Sequence, residues 1–217
     1  MYMSHYKKIL FPIHIFQTNI RENGLILEDA MDKIEYLYKK SDIKVPEGWL
    51  TDNLFTTFDV GEINSFMFHN DSIFVKYYRE YIKKFFDKPV EFEFEDIWIN
   101  IYSKGEYQEQ HTHLNPDIFG RGAHFSGIHY LKFDPEVHEP VTFVDPIEEI
   151  RYNTLEMDSN YYGNGKWEPH VREGDLLMFP PYLSHYVGKS DPTPNSPRIS
   201  IAFNIYIKQY GDRKHGN

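Results

Sequence analysis

The feature that most constrains the fold of this chain is a change of hydrophobic period at Val90. Upstream, "LILEDAMDKIEYLYKKS" carries Leu27, Met31, Ile34, Leu37 and Tyr38 close to the helical repeat, which predicts an amphipathic helix with those residues on its buried face. A second helix is expected to start after Ser72, an N-cap residue type. It would bury Phe74, Tyr78, Tyr81, Ile82 and Phe85 and be ended by Asp87 and Pro89. From Val90 the period is two. "EFEFEDIWINIY" sets Phe92, Phe94, Trp98, Asn100 and Tyr102 on one side and Ile97, Ile99 and Ile101 on the other. Its second half is apolar on both sides, as in an interior strand covered by helices. "HFSGIHYLKF", "VTFVDP", "GDLLMFP" and "RISIAFNIYI" are expected to be further strands, separated by Pro, Gly and Asp turns. A helical part over about 1–89 and a strand-rich part over about 90–207 predict a mainly β fold, an antiparallel sandwich or open barrel backed by the N-terminal helices.

At 217 residues the chain fits a single large domain over 1–217. Its net charge of -10 repels phosphate backbones and anionic lipid, which argues against nucleic acid as a partner. There is no cysteine, so any metal must be held by His, Asp or Glu. The most apolar N-terminal run, "ILFPIHIFQTNI", is interrupted by Pro12 and His14 and reads as a strand rather than a signal peptide. No run approaches the roughly 18 to 20 apolar residues of a membrane span. These features lead us to expect a soluble, cytoplasmic protein without membrane attachment. Scarce Ala beside abundant Ile, Lys, Asn and Tyr points to an AT-rich coding genome, such as a virus can have. Oligomeric state is not legible.

The chemistry is concentrated in "NIYSKGEYQEQHTHLNPDIFG", where His111 and His113 follow a strand-like run. An H-x-H pair is a weak signal by itself. A third histidine, His185, follows the short apolar strand in "EGDLLMFPPYLSHYVG", and Arg198 opens the apolar strand "RISIAFN". Two imidazoles from one turn and a third from a distant strand can hold a transition metal on one face and leave its other positions open. Taken alone, Arg198 could equally be half of a surface ion pair. His124, His129 and His138 fit no ligand spacing, and Gly127 and Gly174 are read as serving backbone geometry, Gly174 in the turn before a strand.

The ordered set "HTH", "SGIHY", "GDLLMFPPYLSH" and "RISIAFN", with Tyr102-x-x-Gly105 ahead of it, resembles the iron(II)- and 2-oxoglutarate-dependent oxygenases, whose fold is a double-stranded β-helix of jelly-roll or cupin-like form. The resemblance spans Trp98 to Ile207. It implies Fe(II) and 2-oxoglutarate as cofactors, with His111 and His185 as metal ligands. It further implies that Arg198 and Ser200, on one face of their strand, receive the distal carboxylate of 2-oxoglutarate, with Tyr102 and Asn100 available for further hydrogen bonds. The implied activity is a hydroxylase that converts 2-oxoglutarate and O2 to succinate and CO2 while hydroxylating a protein side chain or a small metabolite.

One position departs from the usual pattern. The ligand between the two histidines is ordinarily Asp or Glu, and here it is His113. Three readings stand: a three-histidine site, a carboxylate brought from Asp145 or Asp117, or His113 as a neighbour of the metal rather than a ligand. Two other functions also stand, a three-histidine cupin-like enzyme that does not use 2-oxoglutarate and a non-catalytic ligand-binding barrel. Specificity is expected in the loop from Leu114 to Ala123 and in the excursion from Glu148 to Val171, which carries Tyr152, Tyr161, Tyr162 and Trp167.

Overall fold

The structure is a computed structural model that describes residues 12–38, 45–51, 54–58, 60, 68–69, 72–114, 122–147, 165–189 and 196–210. Within them the two expected helices form, α1 (Asn23–Tyr38) and α2 (Ile73–Lys83). The Ser72 side chain caps α2 by accepting from the Val75 N–H, and Phe74, Val75, Tyr78, Tyr81 and Ile82 are its buried face. The helix ends at Lys83, ahead of Asp87 and Pro89, because the Lys84 N–H already bonds back to Tyr81 and Ile82 and closes the last turn. In α1 the buried stripe is Ile26, Ala30 and Ile34, one turn apart, with Met31 exposed. Ile34 is buried and Leu27 packs against the core as expected, Met31 corrects the expected face, and the side chains of Leu37 and Tyr38 lie outside the described residues.

The ten strands among the described residues form two antiparallel sheets. The larger has the order β1 (Phe16–Asn19), β8 (Asp175–Phe179), β5 (Phe125–Lys132), β10 (Arg198–Tyr210), β3 (Val90–Tyr102) and β2 (Phe55–Thr56). The smaller has the order β4 (Gln108–His111), β9 (His185–Val187), β6 (Val141–Val144) and β7 (Lys166–Trp167). Of the described part of the N-terminal apolar run, Phe16–Asn19 is strand, paired at the edge of the sheet with β8.

The larger sheet has two differently used faces. Its back face, with Ile97, Ile99, Ile101, Ile199, Ile201, Phe203 and Ile205, shares one core with both helices. The front face looks toward the smaller sheet. Phe92 and Phe94 lie in the back core with the isoleucines, not beside Trp98 as strict alternation requires. The cause is a bulge in the pairing with β10: Asn204 opposes Asp96 and Ile205 opposes Phe94, so Glu95 is an extra residue and the strand changes parity there. Downstream of the bulge, Asp96, Trp98, Asn100 and Tyr102 share the front face. On β10 the front-face residues are Arg198, Ser200, Ala202 and Asn204, opposite Tyr102, Asn100, Trp98 and Asp96 in that order.

Candidate active site

The Tyr102-x-x-Gly105 segment turns the chain from one sheet to the other. Gly105 has φ +76°, a left-handed conformation that a residue with Cβ resists, and the turn sends β3 into β4. His111 closes β4 directly opposite His185, the first residue of β9, with a bulge between Gln108 and His111. The next segment is tied down by the His113 N–H, which donates to the Pro181 carbonyl at 2.9 Å, so the turn preceding β9 holds both His113 and His185.

The three imidazoles converge. Their candidate ligand nitrogens all lie within 4.8 Å of one another, and the ring centroids of His111 and His185 are 4.4 Å apart. Nε2 of His111 and Nε2 of His113 are separated by 3.2 Å. Imidazoles binding one cation on an octahedral face at roughly 2.1 Å have nitrogens about 3 Å apart. The other ring nitrogen of each histidine is engaged: Nδ1 of His111 with the Glu109 carbonyl (2.7 Å), Nδ1 of His185 with the Leu183 carbonyl (2.9 Å), and Nδ1 of His113 with Ser126 Oγ (2.8 Å) and Asn204 Oδ1 (2.9 Å). A carbonyl can only accept, so His111 and His185 carry their proton on Nδ1 and turn an Nε2 lone pair toward the cluster. Burial lowers the pKa of all three, with that of His113 falling to about 4, and for His113 and His185 repulsion from the neighbouring histidines adds to it. They are therefore neutral near pH 7, the state in which imidazole binds a metal.

Of the carboxylates considered for this cluster, Asp145 is described, and its Oδ1 accepts from the Ile147 N–H at 3.0 Å in a turn. Among the described residues, the group that could hold a metal is His111, His113 and His185. Asp117, Tyr152, Tyr161 and Tyr162 lie outside the described residues. Trp167 is half exposed and stacks on Phe143 (5.8 Å), whose ring lies 6.0 Å from His185. His129 hydrogen-bonds Tyr78 on the helix-facing side, and His138 holds the Ser196 carbonyl.

The histidines line one cavity together with Arg198, Asn100, Tyr102 and Ser200. Arg198 is 1% exposed, far from the surface ion pair that the sequence also allowed. Its guanidinium lies between the rings of Tyr102 (4.5 Å) and Tyr130 (5.3 Å). Nε and Nη1 have no hydrogen-bond partner. A buried cation with unused donors is costly unless an anion meets it, and this one faces the cavity. Tyr102 is fully buried, has its pKa pushed up to about 12 by that burial, and donates to Gln108 Oε1 at 2.9 Å. In the orientation its neighbours require, the Asn100 amide donates to Thr56 Oγ1 (2.6 Å) and accepts from Trp98 Nε1 (3.3 Å).

Gln108, Tyr130, Ser126 and Asn204 were not singled out in the sequence. Ser126 and Asn204 stand inside the blocks "SGIHY" and "RISIAFN", and extending the alternation Arg198, Ser200 by two steps reaches Asn204. Tyr130 closes the same block "SGIHY", whereas Gln108 carries no comparable local signal.

A sequence profile of the family described as "Putative 2OG-Fe(II) oxygenase" matches residues 96–204, half of the chain. No curated relative matches by sequence. Among solved structures, HygX from Streptomyces hygroscopicus with nickel, 2-oxoglutarate and hygromycin B bound superimposes with a TM-score of 0.57 at 12% identity, over 89% of this chain and 82% of that one. A Pseudomonas putida prolyl-4-hydroxylase gives 0.53 at 12% identity over 88% and 92%. The 2-oxoglutarate-dependent epimerase SnoN from nogalamycin biosynthesis gives 0.57 at 11% over 89% and 78%. At such identities these likenesses speak to the jelly-roll fold, while the profile match speaks to descent. The chain belongs to the 2OG-Fe(II) oxygenase family and is a 2-oxoglutarate-dependent dioxygenase whose cofactors are Fe(II) and 2-oxoglutarate.

Proposed function

We propose that His111, His113 and His185 together hold the iron, that Arg198 and Ser200 receive the distal carboxylate of 2-oxoglutarate, and that the enzyme hydroxylates a small molecule or a peptide side chain. The observation that carries this reading is that one cavity joins three converging imidazoles to a buried guanidinium with unused donors. The donor set fits a borderline divalent cation such as iron(II), with one negative charge fewer than a two-histidine, one-carboxylate site. When bound, iron(II) would activate O2, the oxidant, with two electrons drawn from 2-oxoglutarate as it is decarboxylated to succinate and two from the substrate C–H bond. The chain's own part is to bind and orient. The tyrosines around Arg198 keep water from the guanidinium, so that its attraction for a carboxylate is little screened. An acidic protein favours substrates other than nucleic acid.

Metal content measured after anaerobic reconstitution tests the ligand set. His111→Ala, His113→Ala and His185→Ala should each lose stoichiometric iron, whereas Asp145→Ala and Asp117→Ala should keep it. Loss of iron in either aspartate variant together with retention in His113→Ala would replace the three-histidine site by a two-histidine, one-carboxylate site.

A further inference from the structure

We infer that Asn204, assisted by Ser126 and oriented by Asp96, is a positioning residue that fixes the tautomer of His113 and thereby turns its Nε2 lone pair toward the metal site. The inference rests on the reading of His113 as a ligand and names what makes it one.

Ser126, Asn204 and Asp96 form one row across three neighbouring strands: Ser126 opposes Asn204 in the β5–β10 pairing, and Asn204 opposes Asp96 in the β10–β3 pairing. The proton positions along this row follow from what each atom can do. The Asp96 carboxylate accepts from Asn204 Nδ2 (3.3 Å), so the amide presents its oxygen in the other direction, toward His113. That oxygen accepts the Ser126 hydroxyl proton at 2.7 Å. With its proton spent there, Ser126 Oγ can only accept from His113 Nδ1, at 2.8 Å. Asn204 Oδ1 likewise can only accept from it, at 2.9 Å. Both partners of Nδ1 are acceptors, so the proton sits on Nδ1 and Nε2 is bare. His111 and His185 obtain the same tautomer from main-chain carbonyls within two residues of themselves. Among the described residues His113 meets no such carbonyl, and it bonds instead to a side chain 91 residues away. Partners of this kind orient a ligand ring and raise its basicity, and losing one commonly weakens metal binding by about 10- to 100-fold.

The test reads the imidazole directly, in metal-free protein, by long-range 1H–15N correlation, with the His113 signals assigned through their disappearance in His113→Gln. Wild type should show His113 protonated on Nδ1. Asn204→Leu should give a mixed or Nε2-protonated ring and bind Co(II) and Fe(II) about 10- to 100-fold more weakly. Asn204→Asp combined with Asp96→Asn, which keeps an acceptor facing His113 without setting two carboxylates side by side, should retain the Nδ1–H tautomer and most of the affinity even if Asn204→Leu folds poorly. An unchanged His113 tautomer in Asn204→Leu, or an Nε2-protonated ring in wild type, would overturn the inference. A changed tautomer with unchanged metal affinity would uphold the positioning role and overturn instead the reading of His113 as a ligand.

Discussion

Two histidines with lowered pKa values, the part-buried His113 and the fully buried His129, make the metal-free protein sensitive to acid in a direction that can be worked out. Burial holds His113 down to about 4 and His129 down to about 3. In the unfolded chain both titrate near the ordinary 6.5. As pH falls below that value the unfolded state takes up protons that the folded state refuses, so stability is lost from about pH 6.5 downward and does not change on this account above it. A tenfold difference in proton affinity between the two states is worth about 1.4 kcal/mol, so each residue contributes a few kcal/mol across the window. Urea midpoints of metal-free protein should therefore fall steadily between pH 7 and 5, and less steeply in His129→Asn. A flat profile in wild type would mean that these imidazoles are not buried and neutral.

Between elements, the tightest fit is where β5 crosses beside β10. Gly127 lies under the ring of Phe203, and a Cβ there would come within 2.7 Å of Phe203 Cε1 and closer still to Cζ. The glycine therefore makes room for a side chain, which corrects its reading as a matter of backbone geometry. Phe203 is fully buried and packs edge-on against Phe94 (5.6 Å), so it has little space to yield. Gly127→Ala should cost about 1–3 kcal/mol in chemical denaturation, and Phe203→Leu in the same chain should recover part of it. The element scale also marks where the sequence was readable. Ser72, Phe74, Tyr78 and Ile82 announced α2 because cap and period are local. The parity change at Glu95 was not announced, since a bulge depends on the partner strand and leaves no fixed mark in the strand that carries it. The metal-site histidines and Arg198 were legible through ordered motif blocks. Tyr130 stands in the block "SGIHY", but its place near Arg198 depends on the β5–β10 register, and Gln108 meets Tyr102 only across the turn that carries the chain from one sheet to the other.

At the scale of the whole molecule, the two sheets have separate tasks. The larger one, stiffened by the helices behind it, carries Arg198, Ser200 and Asn204 in fixed rows, while β4 and β9 of the smaller sheet bring His111 and His185 across to them. Gly174, at φ +86°, makes the turn into β8 and donates its N–H to the Tyr130 carbonyl at 2.8 Å, which helps to set the ring that flanks Arg198. Among the described residues no helix is long and apolar enough to cross a membrane.

The central claim is that one cavity binds metal at its histidine end and a dicarboxylate at its arginine end. Anaerobic titration of 2-oxoglutarate into the iron(II) protein, followed by visible absorbance in wild type, Arg198→Ala and Ser200→Ala, tests it most directly. Removing one partner of a buried charge pair costs on the order of 3 to 5 kcal/mol, and about 1.4 kcal/mol is tenfold in affinity. Arg198→Ala should thus bind at least about a hundredfold more weakly with iron content nearly unchanged. Ser200→Ala, which loses one hydrogen bond to a charged group, should cost about 1.5 to 3 kcal/mol. Unchanged affinity in Arg198→Ala, or no absorbance change in wild type, would contradict the account.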